Sequence, residues 1–291
     1  MAIDTKSVMK KFNIRPSKSL GQNFLTDDSV IKRIADAAGI GNTDLVLEIG
    51  PGLGSMTAEL ASRAGHVVAV ELDRHLMPVL KENLRGFGNL TLLNRDVLEL
   101  DIQKDVREIP EISAAGFRPE ALKIVANLPY YITTPVIMKL LENEISADRM
   151  VFMVQSEVAD RMAAKPGGKE YGALSVAVQY YSRPEKVFGV PPHCFIPQPG
   201  VDSTVVRLDI FKTPPVELMD RALFFRTVKA AFGQRRKTLV NALYNSGYFN
   251  TSKEEFKQIL ENMGIEENRR GETLSIMQFA ELSNFIFRKK I

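Results

Sequence analysis

Apolar residues fall in two rhythms along this chain. Short continuous runs at residues 45–47, 66–70, 90–93, 122–126 and 149–154 have the length and the valine, isoleucine and leucine content of strands buried on both faces. Between them lie stretches of helical spacing: one over residues 28–38, one beginning near Ser55, and an amphipathic one over residues 156–164. Strand and helix in alternation predict an α/β fold built on a largely parallel sheet. After a turn-rich stretch at residues 165–169, an apolar helical segment (172–181) leads to a strand-like piece at residues 186–190. A proline-rich loop at residues 191–199 then connects to residues 201–210, which alternate like a strand. Thr213-Pro214-Pro215 reads as a linker, and beyond it the pattern is helical throughout. Two domains are therefore expected, residues 1–212 with an N-terminal arm and residues 213–291.

The polar residues at the ends of the apolar runs carry the candidate chemistry. Glu48-Ile49-Gly50-Pro51-Gly52-Leu53-Gly54 follows the first strand, and glycines at alternate positions let the main chain turn tightly and approach a ligand. The dinucleotide fingerprint would need Gly or Ala at position 55 or 57, where Ser55 and Thr57 stand; G-x-G-x-G with an acidic residue two positions before the first glycine instead resembles the cofactor loop of S-adenosylmethionine-dependent methyltransferases. Glu71 ends the second strand about 20 residues past the glycines, where a carboxylate reaches ribose hydroxyls. Asp96 follows the third strand. Asn127-Leu128-Pro129-Tyr130 follows the fourth, and it suits alkylation of an amino group whose lone pair is delocalised into an aromatic ring. The Asn127 amide oxygen and the Leu128 carbonyl can accept both amino hydrogens and localise the lone pair, while Tyr130 stacks on the ring. Open α/β sheets bind ligands outside the carboxyl ends of their strands, so Glu71, Asp96 and Asn127 are expected to converge.

Composition narrows the class without changing it. The chain has 291 residues, 45% of them hydrophobic and 25% charged, as a soluble globular protein requires. Cys194 is the one cysteine, which rules out an internal disulfide and suits a reducing cytoplasm. No apolar span reaches membrane length, and the basic N-terminal stretch lacks a signal-peptide core, so neither membrane insertion nor export is expected. The net charge of +3 is unevenly spread. From Lys212 onward there are 14 basic against 9 acidic residues, whereas the preceding part has 24 against 26. The arm carries Lys6, Lys10, Lys11, Arg15 and Lys18 against Asp4 alone. Arg235-Arg236-Lys237, placed just before Leu239, Val240 and Leu243, is expected to open a helix at the end where its dipole disfavours cations, an arrangement that phosphates would compensate.

These motifs together with Asn23-Phe24-Leu25, residues 155–161, Phe195 to Pro199, Val201-Asp202-Ser203 and residues 232–237 resemble the rRNA adenine N6-dimethyltransferase family over nearly the whole chain. The likeness is greatest to its small-subunit type, which dimethylates two adjacent adenosines in a hairpin loop near the 3′ end of 16S rRNA. The resemblance implies a Rossmann-like, seven-stranded class I S-adenosylmethionine-dependent methyltransferase domain, its last strand antiparallel, with a small all-α C-terminal domain that assists rRNA binding. It also implies a cytoplasmic monomer that meets 16S rRNA in an assembling small subunit and needs no metal. Asn23 and Leu25 would cover the methionine end of S-adenosylmethionine, with Glu48, Gly50, Gly52 and Gly54 in the cofactor loop. Glu71 would hold the ribose and Asp96 the adenine amino group. Asn127, Leu128, Pro129 and Tyr130 would form the catalytic loop with Phe195 a second wall, and Arg235, Arg236 and Lys237 would meet RNA. Gln155, Glu157 and Arg161 are read as bracing residues. Two other readings stay open: a 23S rRNA adenine methyltransferase of the macrolide-resistance type, and a non-catalytic RNA-binding assembly or transcription factor on the same fold.

Overall fold

The computed structural model describes residues 3–117, 122–143 and 145–291. In chain order the elements begin with α1 (Thr5–Lys11), β1 (Phe24–Leu25), α2 (Asp28–Ala38), β2 (Leu45–Ile49), α3 (Ser55–Ala61), β3 (His66–Glu71), α4 (Met77–Asn83) and β4 (Leu90–Asn94). They continue through α5 (Pro110–Ala115), β5 (Leu122–Asn127), α6 (Thr133–Glu142), β6 (Ala147–Gln155), α7 (Ser156–Ala163), α8 (Ala173–Tyr181), β7 (Ser182–Val190), β8 (Phe195–Ile196) and β9 (Ser203–Ile210). Four helices follow: α9 (Arg221–Gly233), α10 (Leu239–Asn245), α11 (Lys253–Asn262) and α12 (Ile276–Lys289).

Seven strands form one sheet in the order β4-β3-β2-β5-β6-β9-β7. The pairs β4–β3, β3–β2, β2–β5 and β5–β6 are parallel, and β9 runs antiparallel to β6. The chain thus moves outward from β2 to β4 and returns on the other side of β2 as β5. That reversal opens a crevice between the carboxyl ends of β2 and β5, where doubly wound sheets bind ligands. Every residue of β2 and β3 is buried, which explains their unbroken apolar runs. The charge inside the β5 run, Lys123, is also buried; it is paired with Asp44 at 2.8 Å and donates to the Gly39 carbonyl at the end of α2. Helices α2 and α3 cover one face through Val30, Ile31, Ile34, Met56 and Leu60. In a second cluster Leu53, Val79 and Leu80 pack with Val8 and Met9 of α1 and with Phe12 at its end.

Two features differ from the sequence reading. The arm contains a helix, α1, capped by the Asp4 carboxylate, which accepts from the backbone N–H groups of Lys6 and Ser7. Beyond it, β1 pairs antiparallel with β8, Phe24 opposite Ile196 and Leu25 opposite Phe195. Compactness also divides the chain elsewhere than at residue 212. One unit comprises residues 1–159 and 184–210, the other residues 160–183 and 211–291. Residues 160–183 belong with the C-terminal helices because α8 is apolar on most sides and, with Tyr171 just before it, places Val176 and Tyr180 in a core with Phe224, Phe256 and Phe279.

Candidate active site

In the first unit, the loops after β2, β3, β4 and β5 and the arm around β1 enclose one cleft of about 1120 Å³, its open mouth included. Asn23, Leu25, Glu48, Gly50, Gly52, Glu71 and Asp96 all line it. So do Asn127, Leu128, Pro129, Tyr130 and Phe195. Gly54 does not. It caps α3 at φ 92°, and a side chain there would meet Leu80 and Leu84 at 3.2–3.3 Å, so this glycine serves helix packing.

Gly50 and Gly52 adopt positive φ (71° and 60°), and a Cβ on Gly52 would come within 3.0 Å of the Phe24 ring. The loop is thereby held against the arm with its backbone bare toward the cleft. Glu71 accepts from the N–H groups of Gly52 (3.2 Å) and Asp73 (2.8 Å), which fixes its carboxylate at the loop. Burial raises its pKa, and those two N–H groups partly offset the rise. Asp96 is partly buried, and its side chain accepts from the Leu98 N–H at 2.8 Å. Glu48 is fully buried in β2, and neither carboxylate oxygen has a hydrogen-bond partner. Desolvation pushes its pKa up to about 8; the neighbouring Thr57 hydroxyl lowers it somewhat and Glu71 adds to it.

The Asn127 loop is oriented by the arm. Its amide nitrogen donates to the Asn23 carbonyl at 3.1 Å, so the oxygen is the atom the side chain can offer a substrate amine. The Pro129 carbonyl accepts from the Ile132 N–H and the Thr133 hydroxyl, so it is engaged within the loop itself. Leu128 anchors the loop by burying its side chain and donating to the Met153 carbonyl at 3.2 Å. Tyr130 is half-buried, and its hydroxyl lies 2.9 Å from that of Ser203, which fixes the ring; burial raises its pKa. Phe195 is only 2% exposed and belongs to the core with Leu25, Met153 and Val205. It lines the cleft from within that core.

Sequence reasoning missed several lining residues. Tyr131 is 54% exposed at the mouth, Leu72 is 47% exposed beside Glu71, and Gln22 ties the arm to the loop after β3 by donating to Asp73 at 2.9 Å. The signal for Tyr131 was present, since a second tyrosine follows Tyr130 directly. Cys194 is buried with its pKa raised by burial, and its thiol lies 3.7 Å from Asp27, which is a structural placement.

Arg235, Arg236 and Lys237 lie in the second unit, and they do not open a helix. α9 ends at Gly233 and α10 starts at Leu239, capped by the Thr238 hydroxyl, so the three cations occupy the connection. Arg235 donates to the Lys169 and Tyr171 carbonyls (2.7 and 3.1 Å) and to Glu272 at 3.2 Å. It braces its own unit. Arg236 and Lys237 are exposed. Arg235→Ala is accordingly expected to lower stability by about 1–2 kcal/mol, chiefly through the carbonyl bonds since the ion pair is half-exposed. Arg236→Ala should leave the melting temperature unchanged; equal melting of the two variants would contradict the division.

Comparison with known proteins places this geometry. Residues 12–282 match the model of the ribosomal RNA adenine dimethylase family. Ribosomal RNA small subunit methyltransferase A of Alkaliphilus oremlandii is 48% identical over 98% of this chain and 96% of its own length. The protein of the same name from Clostridioides difficile is 50% identical over the same shares. Among solved structures, a dimethyladenosine transferase from Plasmodium falciparum aligns with a TM-score of 0.76 at 25% identity, covering 92% of this chain and 98% of its own. The 23S rRNA methyltransferase ErmE aligns at 0.67 and 27% identity, covering 90% and 98%. No helix among the described residues is long and apolar enough to cross a membrane. With a seven-stranded sheet, a glycine-loop cleft and a family match that runs from the arm to α12, the chain belongs to the ribosomal RNA adenine dimethylase family.

Proposed function

We propose that the chain uses S-adenosylmethionine to dimethylate N6 of two adjacent adenosines in the 3′-terminal hairpin loop of 16S rRNA, during assembly of the small subunit. The observation that carries the reaction class is the Asn127 amide, held by Asn23 so that its oxygen is the group on offer, in the same cleft as the Glu71 carboxylate. Preference for the small subunit over the 23S reading rests on near-half identity to small-subunit methyltransferases along almost the full length, against 27% for ErmE.

The residues fit the cofactor. Gly50 and Gly52 leave backbone bare where a nucleoside must pass, Glu71 presents a fixed carboxylate for ribose hydroxyls, and Asp96 can accept from an adenine amino group. When bound, S-adenosylmethionine supplies an electrophilic methyl on sulfur. The protein's own part is alignment: the Asn127 oxygen and Leu128 carbonyl hold the two amino hydrogens, which pulls the lone pair out of conjugation, and Tyr130 stacks on the flipped base. The amino proton leaves to water after transfer, since the alkylated nitrogen is acidic. The basic arm and the exposed Arg236 and Lys237 would contact RNA phosphates.

The test is incubation with small and, separately, large subunits lacking the modification, followed by primer extension on each subunit's RNA. A stop at the adjacent adenosines of the small-subunit RNA is expected, and a stop confined to 23S RNA would select the other reading. Glu71→Ala should weaken the cofactor by about 1.5–3 kcal/mol in calorimetry, the value of a charged hydrogen-bonding group, with RNA binding in its absence retained. Unchanged cofactor binding would remove Glu71 from the ribose.

A further inference from the structure

The second unit carries a basic and aromatic patch around the end of α10. From Lys229 to Lys253 the chain holds five Lys and Arg and no Asp or Glu. Tyr244 and Tyr248 sit at the end of α10 and just past it, 45% and 42% exposed. Cations from the two flanking helices reach over their rings: the Lys253 ammonium from α11 lies 5.1 Å from the Tyr244 centroid, and that of Lys229 from α9 lies 5.8 Å from the Tyr248 centroid. Both distances are within cation–π range. Gln234 accepts from Asn245 at 3.2 Å, which fastens the turn bearing Arg236 and Lys237 beside the same helix end.

We propose that Tyr244 and Tyr248 form a platform on which unpaired bases of the rRNA stack, with Lys229 and Lys253 holding the phosphates of those nucleotides. The proposal rests on the rRNA substrate argued above and adds a second, single-stranded contact in the C-terminal unit. Aromatic rings with cations beside them and no acidic residue between are what a single strand requires: every base has a π face for the ring, and every nucleotide a phosphate for the cation. A buried hydrophobic role does not account for rings that are nearly half exposed. The tyrosines set position along the strand, and the lysines set the salt dependence.

The experiment uses the full chain and measures binding to deproteinised 16S rRNA and, in parallel, to small subunits lacking the modification. Replacing both tyrosines by Ala is expected to weaken binding to both targets by about 10- to 100-fold, while replacing both by Phe, which keeps the rings, stays within about 3-fold of the parent. Lys229→Gln with Lys253→Gln should flatten the salt dependence by about 0.7 log units per log salt for each phosphate lost. Melting temperature and cofactor affinity should not move, because the rings are exposed; if the double variant melts early, the two single Ala variants are read in its place. Equal affinity of the Ala variants overturns the platform. Failure of the Phe variant would assign the effect to the hydroxyls and also overturns it, and weakening on subunits alone would point to a protein partner. Loss of methylation specificity in the parent protein is a separate result, which would sink the small-subunit reading while leaving the comparison of variants on RNA intact.

Discussion

Asn127→Ala is expected to slow methyl transfer by about 10²- to 10³-fold, the usual cost of removing one oriented group that acts on the charge developing in a transition state. The side chain makes two uses of one amide. Its nitrogen donates to the Asn23 carbonyl and its oxygen is left for the substrate amine. Removing it therefore also releases the Asn23 carbonyl of the arm, but a single neutral hydrogen bond is worth only about 0.5–1.5 kcal/mol, so cofactor affinity should change by about tenfold at most. Asn127→Asp separates the two uses. The carboxylate keeps an acceptor and loses the donor, and it should restore part of the rate only if acceptance is what matters. Single-turnover transfer to rRNA gives the first number and calorimetry the second. A near-normal turnover of the Ala variant would take Asn127 out of the mechanism.

How much of this could be read from the chain depends on where the signal lies. The strands that carry Glu48, Glu71 and Asn127 are buried on both faces, so apart from the paired Lys123 their interiors are apolar and these three polar residues fall at or next to the carboxyl ends. The convergence of those ends on one cleft then follows from the handedness and order of a doubly wound sheet. Pairing of β1 with β8 had no such signal, because two-residue strands show no period and their partners are more than 160 residues apart. Yet that pairing puts Leu25 opposite Phe195 and buries the Phe195 ring, a choice between wall and core that the proline-rich loop alone did not make. The same holds for Arg235. Three adjacent cations look alike in sequence, and only the carbonyls of Lys169 and Tyr171 distinguish the first from the other two. Residues 160–183 cluster with the C-terminal helices for a related reason: the apolar positions of α8 announce a buried helix, and they do not say which core buries it.

The glycine-loop carboxylate Glu48 should make stability fall as pH rises. In the unfolded chain it titrates near 4.5, and in the fold at about 8 because burial penalises the charge. Between those values the folded protein keeps a proton that the unfolded chain has released, so ionising the group costs the fold progressively more. The stabilising effect is fully present below the unfolded value and is lost as pH climbs through the folded one, a change on the order of 3–5 kcal/mol at one unit per 1.36 kcal/mol. Glu71, whose pKa burial also raises, adds a slope of the same sign, so the effect of Glu48 is isolated by difference. Glu48→Gln removes the proton without changing the shape, and its cofactor-free melting temperature should decline much less from pH 5 to pH 9 than that of the parent. The slope is the quantity to compare, because an amide in the same unpartnered place has a desolvation cost of its own. A cationic cofactor in the cleft that Glu48 lines would favour its ionised form, so binding near pH 7 should release a proton and show an enthalpy that depends on the buffer. Parallel melting profiles for the parent and Glu48→Gln would show that the carboxyl ionises in the fold as it does in water, and the proton release would go with it.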